Sequence, residues 1–180
     1  EMPASESLQI GDLSDANGGQ LGGHGSHQNG LDADVVFLRR NHRSMDPMTQ
    51  KTTTTGFDED FVDAHGKVTK NFDIEANWKL IQIFVGTGRV DRIFVDHQIK
   101  NTFCEYATAL GKRVEWGETL RKLRHWPNHQ DHTHVRITCP EKSLDCKPIP
   151  AIPEGDGCEH PLDQGGSRAG PLIGPPEFLM

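Results

Sequence analysis

The sequence predicts an α+β protein: a single domain in which a small central antiparallel sheet is flanked by helices and joined by long loops. Short segments rich in β-branched residues predict strands, whereas two longer segments repeat apolar residues at helical spacing. The chain has 180 residues, which is enough for one hydrophobic core. Its 19 glycines, 11 prolines and mean hydropathy of −0.61 favour a loop-rich protein over a helical bundle.

Three segments carry the strand pattern. Residues 32–38, "DADVVFL", follow an irregular stretch rich in Gly, Ser and Asn. Residues 92–97, "RIFVDH", predict a second short strand. Residues 132–138, "HTHVRIT", alternate polar and β-branched side chains and predict a third. We find no internal repeat, so these strands are expected to belong to one sheet.

Helices are predicted between the strands. Residues 74–86, "IEANWKLIQIFVG", and residues 98–110, "QIKNTFCEYATAL", both place apolar side chains at helical spacing. Residues 119–126, "TLRKLRHW", predict one or two further helical turns.

Long loops and a tail complete the chain. Residues 41–58 are polar, with a Thr run and a Pro, and are interpreted as a long mobile loop beside a binding cleft. After residue 139 no pattern returns, and Pro and Gly are frequent in residues 148–176. We therefore expect a domain over residues 1–160 and a flexible tail over residues 161–180.

Charge and hydropathy exclude two classes of partner. The formal net charge is −7 and no basic block is present, which argues against nucleic-acid binding. No apolar run approaches the roughly 18 residues needed to span a bilayer. The chain begins at Glu1 and shows no signal segment, so we expect a processed product whose signal peptide lies outside the given sequence.

Four cysteines favour an oxidising compartment. None forms a C-x-x-C pair, which weakens zinc-ribbon and thioredoxin interpretations. An even number allows two disulfides with three possible connectivities, and four free thiols in a cytosolic protein remain the alternative. Cys139 and Cys146 enclose a short polar loop that a disulfide could close.

Histidines and aspartates are placed together by strand alternation. His132, His134 and Arg136 share one face of the predicted last strand, whereas Val135 and the other β-branched residues belong to a core on the opposite face. Asp34 lies on the equivalent face of the first strand. Two neighbouring strands could bring these side chains onto one surface.

This set of side chains suggests a metal site. His27 precedes Asp34 by seven positions and can fold back from its loop to join Asp34 and His134. Two imidazoles and one carboxylate suit zinc with one open position, where the ion activates water and polarises a carbonyl. There is no H-E-x-x-H motif and thus no glutamate base, so proton transfer would fall to His132 or His129. Because the chain has ten histidines, such a group could also arise by chance, and spacing alone does not decide between a metal site and a chance arrangement.

The same residues resemble a known family, the penicillin-insensitive murein endopeptidases. These belong to a wider group of zinc peptidases that includes lysostaphin-type enzymes, D-Ala-D-Ala peptidases and the hedgehog amino-terminal domain. The shared signature H-x(6)-D followed by H-x-H appears as His27–Asp34 and His132–His134. Further segments follow in the family's order over roughly residues 9–160: "GGHGSHQNGLDADV", "RIFVDHQIK", "TLRKLRHW", "NHQDHTHVRITCP", "SLDC" and "GDGC".

The resemblance implies a zinc ion held by His27, Asp34 and His134, with His132 as the catalytic histidine assisted by His129. The implied reaction is hydrolysis of the D-alanyl–meso-diaminopimelyl amide that cross-links peptidoglycan, by a periplasmic or secreted enzyme. The resemblance also implies two disulfides, Cys104–Cys158 and Cys139–Cys146.

The sequence departs from the family at two places. The segment that usually precedes "IGD", here residues 10–12, is almost missing from the given sequence. A second metal in some relatives uses a His at the position of His24 with an Asp and a His farther on. Here Asp63 and His65 are displaced and Val68 stands where a His is expected, so one zinc per chain is predicted.

Several residues keep two interpretations. His24 is a metal ligand or a loop histidine, and Asp32 either orients a ligand histidine or is a solvated acid. Arg136 could bind a substrate carboxylate or form an ordinary ion pair. Trp126 could line the cleft wall or belong to the core.

Two rival functions also remain at this stage. A D,D-carboxypeptidase or dipeptidase would use the same site in a cleft closed at one end. A noncatalytic zinc-binding module would fill every coordination position with protein, with His24 as the fourth ligand.

Overall fold

The structure is a computed structural model of the chain, and it describes residues 7–22, 24–44, 55–143, 146 and 148–158. The predicted tail over residues 161–180 lies outside the described residues, as does most of the loop predicted at 41–58. Among the helices of the described part, none has the length and apolarity to cross a bilayer.

The predicted α+β class is confirmed. Four strands and three helices follow one another in the order β1 (Asp32–Val36), α1 (Ile74–Gly86), β2 (Val90–Val95), α2 (His97–Ala109), α3 (Gly117–Lys122), β3 (Leu123–His125) and β4 (His132–Ile137).

The sheet is mixed rather than wholly antiparallel. Its strand order is β1-β4-β2-β3, and β4 pairs antiparallel with both β1 and β2. β3 pairs parallel with β2, because the chain leaves β2, passes through α2 and α3 and returns in the same direction. The sequence analysis predicted helical turns over residues 119–126, and this was wrong beyond Lys122, where residues 123–125 form β3. Leu123 is fully buried beside Ile93, so these residues complete the sheet edge.

Aspartates fix the starts of the two long helices. The Asp73 carboxylate accepts a hydrogen bond from the backbone N–H of Ala76 (3.0 Å), and the Asp96 carboxylate accepts one from Gln98 (2.7 Å). These N-caps satisfy amides that have no partner within a helix. Asp96 directly follows β2, so the cap also sets where strand passes into helix.

One face of the sheet forms the hydrophobic core with the helices. Val35, Ile93, Val95, Leu123 and Val135 point to this face and are buried. α1, α2 and the segment between β1 and α1 cover it with Phe61, Phe72, Trp78, Ile81, Ile99 and Phe103. Burial on this face forces the alternate strand residues to the opposite face, which carries the charged side chains.

Both predicted disulfides are present. Cys104 in α2 is bonded to Cys158, and Cys139 is bonded to Cys146. The first ties residues 148–158 to the helical layer, and the second closes a short loop after β4.

Residues 9–12 extend the sheet beside β1. Gly11 N–H donates to the Asp34 carbonyl (2.8 Å), and Asp34 N–H donates to the Asp12 carbonyl (3.0 Å). This segment therefore covers the edge of β1 and brings the Asp12 side chain beside the polar face of the sheet.

Candidate metal centre

The polar face of the sheet brings Asp34 and His134 together. Asp34 pairs directly with His134 across β1 and β4, and Asp32 pairs with Arg136. Directly paired residues share a face, so the predicted common surface exists. All four of these side chains are nevertheless buried, because the loops that carry residues 24–31 and 55–61 contribute side chains over the same face.

His27 reaches this face from its loop and is 1% exposed. Its φ of 60° is a left-handed conformation that costs a non-glycine residue about 1 kcal/mol. Neither ring nitrogen makes a hydrogen bond to any described residue, although Nε2 lies 3.2 Å from Asp34 Oδ1. A buried imidazole with both nitrogens unsatisfied is costly, which is the pattern expected of a ligand-binding residue.

Asp34 is the shared centre of the site. Its Oδ1 lies 3.2 Å from His27 Nε2, 3.3 Å from His134 Nδ1 and 3.6 Å from His132 Nε2. Burial alone would raise the pKa of Asp34, but the contacts with His134 and His27 outweigh it and hold that pKa far below its usual value. The carboxylate is therefore ionised and faces three imidazoles.

His134 is oriented by a second carboxylate. Its Nε2–H donates to Asp32 Oδ1 (2.9 Å), which turns Nδ1 toward Asp34. Burial lowers the pKa of His134, but the interactions with Asp32 and Asp34 outweigh it and raise the pKa to about 9. A carboxylate on the far nitrogen is the usual support of a metal-binding imidazole.

Arg136 lies in an ion pair rather than in an open cleft. Its Nη1 donates to both oxygens of Asp32, at 2.8 and 2.7 Å, and the residue is 5% exposed. The structure therefore places Arg136 behind Asp32, where it fixes the carboxylate that orients His134. A substrate carboxylate would have to displace Asp32 to reach it.

His132 is held from the side away from Asp34. Its Nδ1–H donates to Asp131 Oδ1 (2.6 Å), and the fully buried Asp131 also accepts a hydrogen bond from the Thr55 hydroxyl. Nε2 consequently points into the site. The ring packs on Phe57 with centroids 4.6 Å apart. Phe57 in turn lies against Gly11, where a Cβ atom would come within 2.8 Å of its ring.

His129 lies beside His132 with ring centroids 4.8 Å apart. Its Nδ1–H donates to the carbonyl of Pro127 (2.7 Å), which leaves Nε2 as the acceptor nitrogen. Burial, with the nearby His132, lowers the pKa of His129 to about 4. His129 is therefore neutral at physiological pH.

His24 stands at the outer side of the site. One donor atom each from His24, His27 and Asp34 lie within 4.8 Å of one another. His24 Nε2 also lies 3.4 Å from Asp12 Oδ2. Asp63 and His65 join no such three-donor group among the described residues, and the Asp63 carboxylate accepts backbone hydrogen bonds within its own turn.

Trp126 contributes to an aromatic wall. It packs on Phe94 with centroids 5.7 Å apart, and Phe94 packs on His134 at 5.4 Å. Trp126 is thus one ring away from the donor atoms and is half-buried.

Sequence reasoning missed three residues that shape this site: Asp131, Asp12 and Phe57. Asp131 precedes β4, so alternation along the strand says nothing about its direction, although its position beside His132 was a usable signal. Asp12 and Phe57 lie in segments without periodicity, and only the folded chain brings them to the site.

The donor set fits a divalent metal ion. His27 offers unsatisfied buried nitrogens, Asp34 offers an unsatisfied buried Oδ1, and His134 turns Nδ1 to the same point. Such orphaned polar atoms cluster at ion sites and are otherwise rare in a folded core. Two imidazoles and one carboxylate suit zinc-class ions.

Comparison with known proteins shows the family of the chain. The sequence model of the penicillin-insensitive murein endopeptidase family matches residues 2–170. The chain is 37% identical over 155 residues to the penicillin-insensitive murein endopeptidase of Escherichia coli O157:H7 (strain EC4115 / EHEC), covering 83% of this chain and 52% of that protein. It is 38% identical, with the same coverage, to the enzyme of that name from Escherichia coli O1:K1 / APEC. The chain spans about half the length of these relatives.

Proposed function

Because the chain belongs to the penicillin-insensitive murein endopeptidase family, we propose that it is a zinc-dependent peptidoglycan endopeptidase. The bond hydrolysed is the D-alanyl–meso-diaminopimelyl amide of the peptide cross-link. The observation that carries the proposal is the buried group of His27, Asp34 and His134, whose donor atoms converge beside His132.

Zinc is held by His27, Asp34 and His134, one ion at this site. When bound, the ion acts as a Lewis acid on the scissile carbonyl and lowers the pKa of a water molecule. The protein prepares this site through the Arg136–Asp32–His134 series of hydrogen bonds, which keeps Nδ1 of His134 directed at Asp34. Arg136 accordingly positions a ligand and does not contact the substrate.

His132 and His129 handle the proton and the developing negative charge. With Nδ1 bonded to Asp131, His132 presents Nε2 as the group that accepts a proton from the attacking water and then donates it. Asp131 stabilises the imidazolium formed in this step, as a buried carboxylate behind a histidine does. His129, kept neutral by burial, stands next to His132 and limits its movement.

The substrate lies along the aromatic wall. Phe94 and Trp126 form one side of the site, next to His134 and His129. Stem peptides of peptidoglycan are flexible, and flat apolar side chains orient such chains without requiring charge. The two disulfides fit action outside the cytoplasm, in the periplasm or after secretion.

The test combines metal content with an assay on cross-linked muropeptide dimers. We expect about one tightly held zinc at this site and release of monomers, with cleavage lost on chelation and at least 100-fold slower in His134→Ala. His65→Ala, which removes an exposed imidazole elsewhere, serves as the control. Unchanged cleavage in His134→Ala would contradict the proposal.

One observation favours a noncatalytic zinc-binding module instead. His24 lies with His27 and Asp34 in the three-donor group, so a fourth protein ligand is within reach. In that case zinc would be bound without any cleavage, and His24→Ala would weaken zinc binding. The masses of the reaction products distinguish an endopeptidase from a third possibility, a carboxypeptidase or dipeptidase that removes only terminal residues.

A further inference from the structure

A second group of metal-type donors lies on the other side of the sheet. Three residues, Asp96, His97 and His125, each offer one donor atom, and these three atoms lie within 4.8 Å of one another. His125 pairs with Val95 at the end of β3, and it points to the helix-covered face, opposite to the face that carries Asp34. Sequence analysis did not identify this group, because His125 is far along the chain from the adjacent Asp96 and His97.

The local fold aims these donors at one point. Asp96 uses Oδ1 to cap α2, which leaves Oδ2 directed toward His97 Nδ1 at 3.7 Å. The His97 and His125 rings lie edge to face with centroids 5.2 Å apart. The side-chain amide of Gln98 lies 2.8 Å from His97 Nε2. The Gln98 side-chain NH2 donates this hydrogen bond to His97 Nε2, and Nδ1 of His97 faces Asp96 Oδ2.

His125 supplies an independent sign of a missing ligand. Its Nδ1 is inaccessible to solvent and makes no hydrogen bond to any described residue. An unsatisfied buried nitrogen between a second imidazole and a carboxylate is not explained by packing alone.

We propose that Asp96, His97 and His125 form a second binding site for a borderline divalent transition-metal ion, of which zinc is the representative. Two imidazoles and one carboxylate match the preference of this class, whereas magnesium and calcium prefer oxygen ligands. His97 is partly exposed, with 36% of its side chain accessible, so the ion has a route from solvent and keeps a position for water.

The position of this site gives it a structural consequence for the cleft. Asp96 N–H donates to the His129 carbonyl (2.9 Å), and Trp126 N–H donates to the Val95 carbonyl (3.1 Å). An ion that joins His125 to Asp96 therefore clamps both ends of the segment that carries Trp126 and His129. The site is a support for the cleft wall and not a second catalytic centre.

The proposal is tested by equilibrium dialysis of the metal-stripped protein against Zn²⁺. We expect two equivalents bound by the unaltered protein. His97→Ala and His125→Ala should each weaken one equivalent at least tenfold, whereas His134→Ala should leave that equivalent in place. His42→Asn, which removes an exposed imidazole from another loop, should retain both. Zn²⁺ should also slow hydrogen exchange of the Asp96 and Trp126 amides, and this slowing should be lost in His97→Ala.

Three results would overturn the proposal. One is a single equivalent in the unaltered protein that disappears in His134→Ala. Another is a second equivalent that survives both His97→Ala and His125→Ala, and the third is a second equivalent that depends on His24. If His125→Ala fails to fold, zinc binding by His97→Ala, which alters a partly exposed residue, still tests the proposal. Because the readout is binding, it is independent of whether the protein cleaves muropeptides.

Discussion

At the scale of single residues, the site depends on side chains that contact neither the proposed metal ion nor the substrate. Asp131 holds His132, Asp32 holds His134, and Arg136 holds Asp32. The bonds from Asp131 and Asp32 to the two rings fix the ring orientations, and so decide which nitrogen of each ring faces Asp34. The two histidines of the H-x-H motif present different nitrogens for this reason: Nε2 in His132 and Nδ1 in His134.

Asp131 offers the sharpest test of this arrangement. We expect Asp131→Ala to lower kcat for dimer cleavage about 10- to 100-fold, because His132 loses the partner that orients it and stabilises its protonated form. Zinc content should stay unchanged, since Asp131 faces away from Asp34. Steady-state kinetics and metal analysis measure both effects.

Asp60→Asn is the matched control for this prediction. It removes an exposed carboxylate that lies near Asp131. Partial burial raises the pKa of Asp60, and the nearby Asp131 raises it further. The control should keep near-full turnover. If Asp131→Ala also kept it, Asp131 would be only a structural residue.

Much of this site was predictable from sequence, and the reason is strand alternation. Once Val135 was assigned to the core, His132 and His134 had to share the other face, and the structure confirms that Asp34 pairs with His134. The family resemblance, also drawn from these motifs, was confirmed by the family match. The metal and catalytic roles of these residues remain predictions.

At the scale of elements, the regular helices and strands were predicted well and their connections were not. Periodicity located α1, α2, β1, β2 and β4 to within a few residues. It assigned β3 to a helix, because "LRKLRH" has helical spacing on its own and only pairing with β2 draws Leu123 into the sheet. The parallel pairing of β3 follows from the path of the chain, which no local pattern encodes.

Asn77 in α1 shows how one buried side chain joins two elements. Its Oδ1 accepts from the Leu38 N–H and its Nδ2 donates to the Leu38 carbonyl, both at 2.8 Å. The side chain is 1% exposed. It therefore satisfies the N–H of a residue that has just left β1, and it shares the Leu38 carbonyl with the Asp73 N–H, which donates at 3.2 Å.

Removing this amide should destabilise the fold without changing the site. We expect Asn77→Ala to lower the free energy of unfolding by about 1–3 kcal/mol, because the buried Leu38 N–H loses its partner and the Leu38 carbonyl keeps only the Asp73 N–H. Chemical denaturation monitored by circular dichroism measures the change. Gln82→Ala on the same helix should cost less than about 0.5 kcal/mol. Equal effects for the two variants would show that Asn77 has no special role.

At the scale of the whole molecule, the sheet separates two polar groups of side chains, and both residues 9–12 and Cys158 are tied to the centre. Residues 9–12 extend the sheet beside β1, and Cys158 is bonded to Cys104 in α2. The Cys104–Cys158 disulfide joins positions 54 residues apart, whereas Cys139–Cys146 joins positions only 7 apart. The longer loop restricts the unfolded chain more, so the first disulfide contributes more to stability.

Lys100 lies where α2, β3 and the segment near Cys158 meet. Its Nζ donates to the Leu123 carbonyl (2.9 Å) and lies against Gly157. Burial lowers the pKa of Lys100 to about 8, and the nearby Arg124 lowers it further, against an opposing effect of Asp156. The folded protein therefore binds this proton less tightly than the unfolded chain does.

The sign of the resulting pH dependence is fixed. Between about pH 8 and pH 10.5, the unfolded chain keeps the Lys100 proton while the folded chain releases it, so unfolding takes up a proton and stability rises with pH. Below pH 8 both states are protonated and the Lys100 contribution is constant. Lys100→Met removes this dependence. The free energy of unfolding of the unaltered protein, minus that of Lys100→Met, should therefore increase as the pH rises from 8 to 10.

Denaturation at a series of pH values measures this difference, and other groups that titrate in the same range cancel from it. Lys79→Met, which removes an exposed lysine from α1, is the control for the loss of a lysine elsewhere in the chain. A pH-independent difference for Lys100→Met would mean that the Lys100 amine stays as accessible to water as an ordinary surface lysine. The junction of α2, β3 and the Cys158 segment would then be open in solution, contrary to the packing of Lys100 against Leu123 and Gly157.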